Sequence, residues 1–182
     1  MWNAFRRTDA GYDAFRPKCF HPEPFASDGF VQPYGDSPLD EEIAAENVYL
    51  NILNQARDYV YIFTPYLIID HEMDTALCLA AKRGVDVRIV TPGIPDKKVI
   101  FQLTRSYYPS LLRAGVRIYE YAPGFLHAKS YVCDDETAVV GTINMDYRSL
   151  YLHFECGTLF YRNSIVADVK EDYLRTLEKC RE

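Results

Sequence analysis

The chain has no Cys-x-x-Cys pair, no long apolar run and a shortage of positive charge, and each absence removes a class of protein. Its five cysteines, Cys19, Cys78, Cys133, Cys156 and Cys180, are odd in number and far apart. That spacing speaks against a disulfide framework or a zinc site and suits free thiols on a reducing, cytosolic face. No stretch approaches the ~18 apolar residues of a membrane span, and the start of the chain carries no signal-peptide core. Lys and Arg number 20 against 26 Asp and Glu, a net charge of −6 that argues against nucleic-acid binding through bulk electrostatics. A local basic pocket for one phosphate remains compatible with it. No internal repeat and no low-complexity tract is present.

What is there is the material of a globular domain. A length of 182 residues corresponds to about one domain and suffices for a core without covalent staples. A content of 48% hydrophobic and 25% charged residues sets aside disordered and fibrous classes. Fifteen Tyr and ten Phe suit packed sheets, and equally the wet edge of a lipid surface.

Residues 1–37 carry four prolines (17, 22, 24 and 33) and no sustained period, so they read as an irregular lead-in. Order begins at Ser37-Pro38, an N-cap with Pro at the first helical position and Asp40, Glu41 and Glu42 in the first turn. That helix is expected to reach about Arg57. YVYIFT (59–64) reads as a buried strand. Asp70 caps a helix that Gly84 stops, VDVRIVT (85–91) is the next strand, Lys97 to Ala114 reads as one helix stopped by Gly115, and VRIYEY (116–121) follows as a strand. Such alternation calls for parallel neighbours covered by helices. AKSYVCD (128–134) and TAVVG (137–141), joined at Asp135-Glu136, then read as an antiparallel hairpin. FECGTLFY (154–161) adds a strand, and a final helix is capped by Asn163. The fold class is therefore α/β, a mixed β-sheet flanked by helices.

The chemistry concentrates between Gly124 and Glu155. Its centre is His127-Ala-Lys129, then Asp134, then Gly141-Thr142-Ile143-Asn144. In an extended segment His127 and Lys129 share a face, whereas Asp134, at an odd offset of seven, faces away. The small Gly141-Thr142 step would let an anion approach backbone N–H groups, and Asn144 would donate from its amide. An imidazole nucleophile, an ammonium and a neutral amide around one concavity are what attack on a phosphodiester needs. With no carboxylate cluster or His pair at ligand spacing, the site calls for no metal and no cofactor.

This pattern resembles the His-x-Lys-x4-Asp signature of the phospholipase D superfamily with its trailing Gly-Ser/Thr-x-Asn. The flanks, RSYYPSLLRAGVRIYEYAPGFLHAKSYVCDDETAVVGTINMDYRSLYLHFECG above all, resemble the C-terminal half of the bacterial cardiolipin synthases, over roughly residues 28–178. The resemblance implies that His127 is the catalytic histidine, as nucleophile or as general acid. It implies phosphate-binding roles for Lys129 and Asn144, a largely structural role for the Asp134 carboxylate, and an orienting hydrogen bond from Glu155 to the histidine. Thr142 stands where Ser is common and His153 where Asn is frequent. The family has two such motifs, one per half, and this chain has one: neither His21 nor His71 begins a second. Residues 28–182 thus resemble a C-terminal catalytic domain, and residues 1–27 the tail of an upstream first half.

The implied reaction joins two phosphatidylglycerol molecules into cardiolipin and glycerol through a phosphohistidine. The implied partners are the phospholipid, a membrane surface, and either an N-terminal half or a homodimer mate. The full-length enzyme would sit at the cytosolic face of the cell membrane, while this chain alone is expected to be soluble and without a transmembrane segment. Two rivals belong to other classes: a single-motif phosphodiesterase or nuclease built by homodimerisation, and an inert lobe that binds anionic headgroups. Plainer readings stand beside the finer roles. Glu155 could be an ordinary salt-bridged acid, Lys97 and Lys98 a solvated helix start, Tyr107-Tyr108 core, Cys133 a buried apolar thiol. Arg148 could pair with Asp146 or face the site.

Overall fold

The computed structural model describes residue 13 and residues 28–39 and 41–182, and in it each apolar string of the middle of the chain becomes a buried strand. In chain order the elements are β1 (Phe30–Asp36), α1 (Ala44–Gln55), β2 (Tyr59–Phe63), β3 (Leu67–Ile68), α2 (His71–Lys82) and β4 (Asp86–Pro92). Then come α3 (Lys98–Ser106), α4 (Tyr108–Ala114), β5 (Arg117–Tyr121), β6 (Ser130–Cys133), β7 (Thr137–Gly141) and β8 (Met145–Asp146). The chain closes with α5 (Tyr147–Tyr151), β9 (Glu155–Tyr161), α6 (Ile165–Leu177) and β10 (Cys180–Arg181). One eight-stranded sheet runs in the order β1-β9-β7-β6-β2-β4-β5-β10, parallel across β2-β4-β5 and antiparallel elsewhere. A small parallel pair, β3 with β8, lies beside it.

Strand β2 shows why the sheet is covered on both faces. All five of its residues are buried: Val60 and Ile62 join the core under α1, α2 and α4, while Tyr59, Tyr61 and Phe63 join the core under α6. Alternation by period 2 divides them. On the first face Tyr49 stacks on Tyr131 with ring centroids 4.0 Å apart, and on the second Tyr61 stacks on Tyr173 at 4.9 Å. Tyr107 and Tyr108 pack against the first core, Tyr108 sharing a 2.7 Å hydrogen bond with Thr91, and Cys133 is buried.

The local helix signals work where the chain supplies a partner. The Asp70 carboxylate accepts from the Met73 N–H at 2.8 Å and starts α2, a cap worth about 1 kcal/mol. The left-handed Gly84 (φ 94°) follows its end. Asn163 Oδ1 accepts from the Ile165 N–H at 3.0 Å at the start of α6.

Four expectations are corrected. Residues 30–36 are no lead-in but a strand, paired along its whole length with β9; residues 1–12, residues 14–27 and Asp40 lie outside the described residues. The first helix starts at Ala44 rather than at Pro38, with Ile43 in the cap position, because the Ser37 hydroxyl is used in a tight turn, accepting from the Leu39 N–H. The single helix expected over 97–114 is two, α3 and α4. Pro109 in the first turn of α4 has no N–H for a continuing helix, and the break falls at Tyr107. The hairpin turn is centred one residue earlier than expected: Asp134 (φ 51°) and Asp135 (φ 56°) are its corner residues, closed by the Glu136 N–H to the Cys133 carbonyl at 3.0 Å.

Candidate active site

The parallel strands β2, β4 and β5 all end at one edge of the sheet, where β6 and β9 begin and β7 finishes. Residues 127–129 lead into β6, Thr64 follows β2, Thr142 to Asn144 follow β7, and Glu155 opens β9. Segments far apart in sequence therefore meet at the carboxyl ends of the parallel strands, the usual place for a ligand in an open α/β sheet.

His127 is exposed, and its ring stands 5.7 Å from the Phe125 ring, which is 6.4 Å from Tyr66. The Tyr66 hydroxyl donates to Asp96 Oδ2 at 2.6 Å, which brings the loop after β4 to the same mouth. Desolvation first and the Lys129 charge second lower the His127 pKa against the pull of Asp96. Both influences disfavour the charged imidazolium. Lys129 Nζ donates to the His127 carbonyl at 2.7 Å, and burial lowers its pKa against the attraction of Glu155 and Asp146.

Asn144 donates through Nδ2 to Ser149 Oγ at 2.9 Å, while its buried Oδ1 has no hydrogen-bond partner among the described residues. A hydroxyl both gives and takes hydrogen bonds, so turning the amide over keeps the Ser149 bond and presents an N–H donor at the unpartnered position. Asp146 is spent on structure, accepting from the Ser149 N–H at 2.8 Å to start α5, and Arg148 is exposed.

Two expected arrangements take a different form. The Gly141 N–H donates to the Lys129 carbonyl at 3.3 Å and the Thr142 N–H to the Cys156 carbonyl at 2.9 Å. Both amides are consumed by the sheet, so neither is free for an anion. Gly141 is small for another reason: a Cβ there would lie 2.4 Å from the Cys156 carbonyl oxygen and 2.8 Å from Gly157 Cα. Glu155 makes no hydrogen bond to His127. Its carboxylate accepts a short hydrogen bond from the Thr142 hydroxyl and lies 3.8 Å from His153 Nδ1. It faces Lys129 electrostatically rather than orienting the imidazole of its own chain.

Asp134 is at the opposite end of β6, roughly 20 Å away at ~3.3 Å per extended residue. Its carboxylate accepts from three backbone N–H groups, those of Arg57 (2.8 Å), Asp58 (3.0 Å) and Tyr59 (2.8 Å). The structure brings together His127, Lys129, Thr142, Asn144 and Glu155 at one edge and places Asp134 elsewhere. Sequence reasoning missed Tyr66, Asp96 and Phe125. Tyr66 and Asp96 each lie just beyond the carboxyl end of a parallel strand, the positional signal that could have found them.

The chain matches the family model for "cardiolipin synthase, PLD-like domain" over residues 49–177. It is 56% identical over 181 residues to an uncharacterized protein of Streptococcus mutans, covering 100% of this chain and 39% of that one. With a cardiolipin synthase of Alkalihalophilus pseudofirmus it shares 41% identity over 151 residues, covering 83% of this chain and 30% of that protein. The chain thus spans about a third of the length of these relatives. Among solved structures, Nuc of Salmonella typhimurium, a phospholipase D family member, has the same fold, with a TM-score of 0.71 at 18% identity, covering 84% of this chain and 96% of that one.

Proposed function

The chain belongs to the cardiolipin synthase, PLD-like domain family, and from that premise we propose that it is one lobe of a phosphatidyltransferase. Residues 28–182 form the C-terminal catalytic lobe and residues 1–27 the tail of a preceding one. The observation that carries the reading is the His127 imidazole beside the Lys129 ammonium at the carboxyl ends of the parallel strands.

An imidazole nitrogen attacks the phosphorus of phosphatidylglycerol. The P–O bond to glycerol breaks, and the leaving alkoxide takes a proton from a second imidazolium. The hydroxyl of another phosphatidylglycerol then gives its proton back to that imidazole and attacks the phosphohistidine, forming cardiolipin and freeing the first imidazole. Atoms and charge balance over the two steps, and His127 serves as one member of the pair. Lys129 and the Asn144 amide offset charge on the non-bridging oxygens. Thr142 and Glu155 stay with the site as a hydrogen-bonded pair beside Lys129.

The second imidazole comes from a second lobe. Relatives about three times as long leave room for it in the same chain. The alternative is that two copies of one lobe meet about a twofold axis. Mass spectrometry of cardiolipin formed from phosphatidylglycerol in mixed micelles tests the proposal, with His127→Ala as control. Product from the wild-type chain alone supports pairing of two copies, and product only after adding an N-terminal half supports the two-lobe enzyme. Activity that survives His127→Ala rejects the assignment.

A further inference from the structure

Helix α3 segregates its apolar and polar side chains, yet of its nine residues only Thr104 is buried. Val99 is 79% exposed, Leu103 41%, and Ile94, in the loop before the helix, 47%. This is not a loosely held segment. Thr104 Oγ1 accepts from the Leu67 N–H at 3.3 Å, Arg105 grips the Glu120 carboxylate through two bonds of 2.6 and 2.7 Å, and Asp96 takes the Tyr66 hydroxyl. The apolar stripe is fixed in place, and it begins at the loop that frames His127. Lys97 and Lys98, both exposed, stand between Ile94 and Val99, and neither ion-pairs among the described residues.

We propose that α3 and the loop before it seat this lobe on an anionic lipid surface, with Ile94, Val99 and Leu103 entering the headgroup layer and Lys97 and Lys98 meeting its negative charge. The inference rests on the phosphatidyltransferase reading, whose substrate keeps its acyl chains in a bilayer while its phosphodiester must reach His127. Two observations favour lipid over a second copy of the chain. Three aliphatic side chains fall well short of the about 800 Å² per partner that a stable protein interface covers. The exposed Lys97 and Lys98 beside the apolar stripe also match an anionic lipid interface.

Co-sedimentation with vesicles tests it. The wild-type chain is expected to bind equimolar phosphatidylglycerol/phosphatidylcholine vesicles more tightly than phosphatidylcholine alone, and less tightly as salt rises. Val99→Asp with Leu103→Asp should weaken that binding at least about tenfold, and Lys97→Glu with Lys98→Glu should abolish the preference for anionic lipid. All four positions are exposed, and thermal melting checks that the variants fold. As a second readout, Val99→Cys carrying a polarity-sensitive fluorophore should shift to the blue on anionic vesicles. Equal binding by wild type and Val99→Asp/Leu103→Asp, no binding by the wild type, or an unshifted fluorophore would overturn the proposal. So would a dimer that this double variant splits without changing vesicle binding. Vesicle binding is read without turnover, so a chain that binds but makes no cardiolipin even after an N-terminal half is added counts against the transferase reading and not against the docking surface.

Discussion

The two ends of strand β6 hold residues of one motif and use them in opposite ways. At the Asp134 end two carboxylates are engaged: three backbone N–H groups hold Asp134, and Arg88 and Arg117 hold Asp86 at 2.6 Å each. At the His127 end the imidazole pairs with the Phe125 ring and, among the described residues, makes no hydrogen bond, the Asn144 oxygen likewise has no hydrogen-bond partner among them, and burial and a neighbouring charge disfavour the imidazolium. Satisfied polar groups stabilise a fold, and unsatisfied ones are left for a ligand. Proximity in sequence says nothing about which of the two a residue will be.

The comparison breaks first on single substitutions at its two ends. His127→Ala should cut product formation by about 10³-fold or more while leaving Tm within about a degree, since the side chain is exposed and unpaired. Asp134→Ala should instead cost about 2–3 kcal/mol, a Tm fall of about 5–10 °C, from three lost charge-assisted bonds and a left-handed backbone that Ala tolerates poorly. Asp134→Asn, which keeps one acceptor and suits positive φ, should recover about half. Thermal melts set against initial rates read both arms. A Tm loss at His127 equal to that at Asp134 would erase the distinction.

The same contrast explains what was legible in the sequence. Asp70, Gly84 and Gly115 announce helix ends through their own backbone chemistry, and β2 through its unbroken apolar run, so these could be read locally. The side-by-side placement of His127 and Lys129 follows from the period of extended chain. Strand β1 could not be read: FVQPYGD carries Pro33 and Gly35, and only pairing with β9 makes it a strand. Gly141 was legible as small but not for its reason, because the atoms that forbid a side chain belong to Cys156 and Gly157 on another strand. The partner of Glu155 was hidden in the same way. The break at Pro109 was legible and was overridden by the helical pattern around it.

A smaller effect sharpens the comparison through pH. Beneath the His127 end, burial and then the hydrogen bond with Asp70 push the Glu46 pKa up to about 7. At the far end burial alone would raise Asp86, but its bonds to Arg88 and the charge of Arg117 bring it below the ordinary value. A raised carboxyl favours folding when protonated, so its contribution is complete below its unfolded pKa of about 4.3 and is lost as pH climbs through 7. A lowered one acts in the reverse sense, and its contribution disappears only as pH falls below the ordinary carboxylate range. Tm should therefore decline by a few degrees between pH 5 and 8. Glu46→Gln, which cannot ionise, should flatten that decline by about 2 kcal/mol at pH 8. An unchanged slope in Glu46→Gln would place the titrating group elsewhere.

The smallest effect concerns the imidazole itself. Its pKa is lowered by desolvation and by Lys129, with Asp96 opposing. Lys129→Met keeps the length of the stem but removes the positive charge, so the His127 pKa should rise toward the ordinary histidine value, and Asp96→Asn should lower it further. NMR titration of the ring protons measures both directly, and the acid limb of the rate profile should move with them. The two shifts must carry opposite signs, because one substitution removes a cation and the other an anion facing the same ring. Desolvation remains in both variants, so neither returns the ring fully to its solution behaviour. If the two shifts share a sign, the field at His127 comes from groups other than Lys129 and Asp96, and the neutral imidazole of the proposed mechanism loses its electrostatic basis.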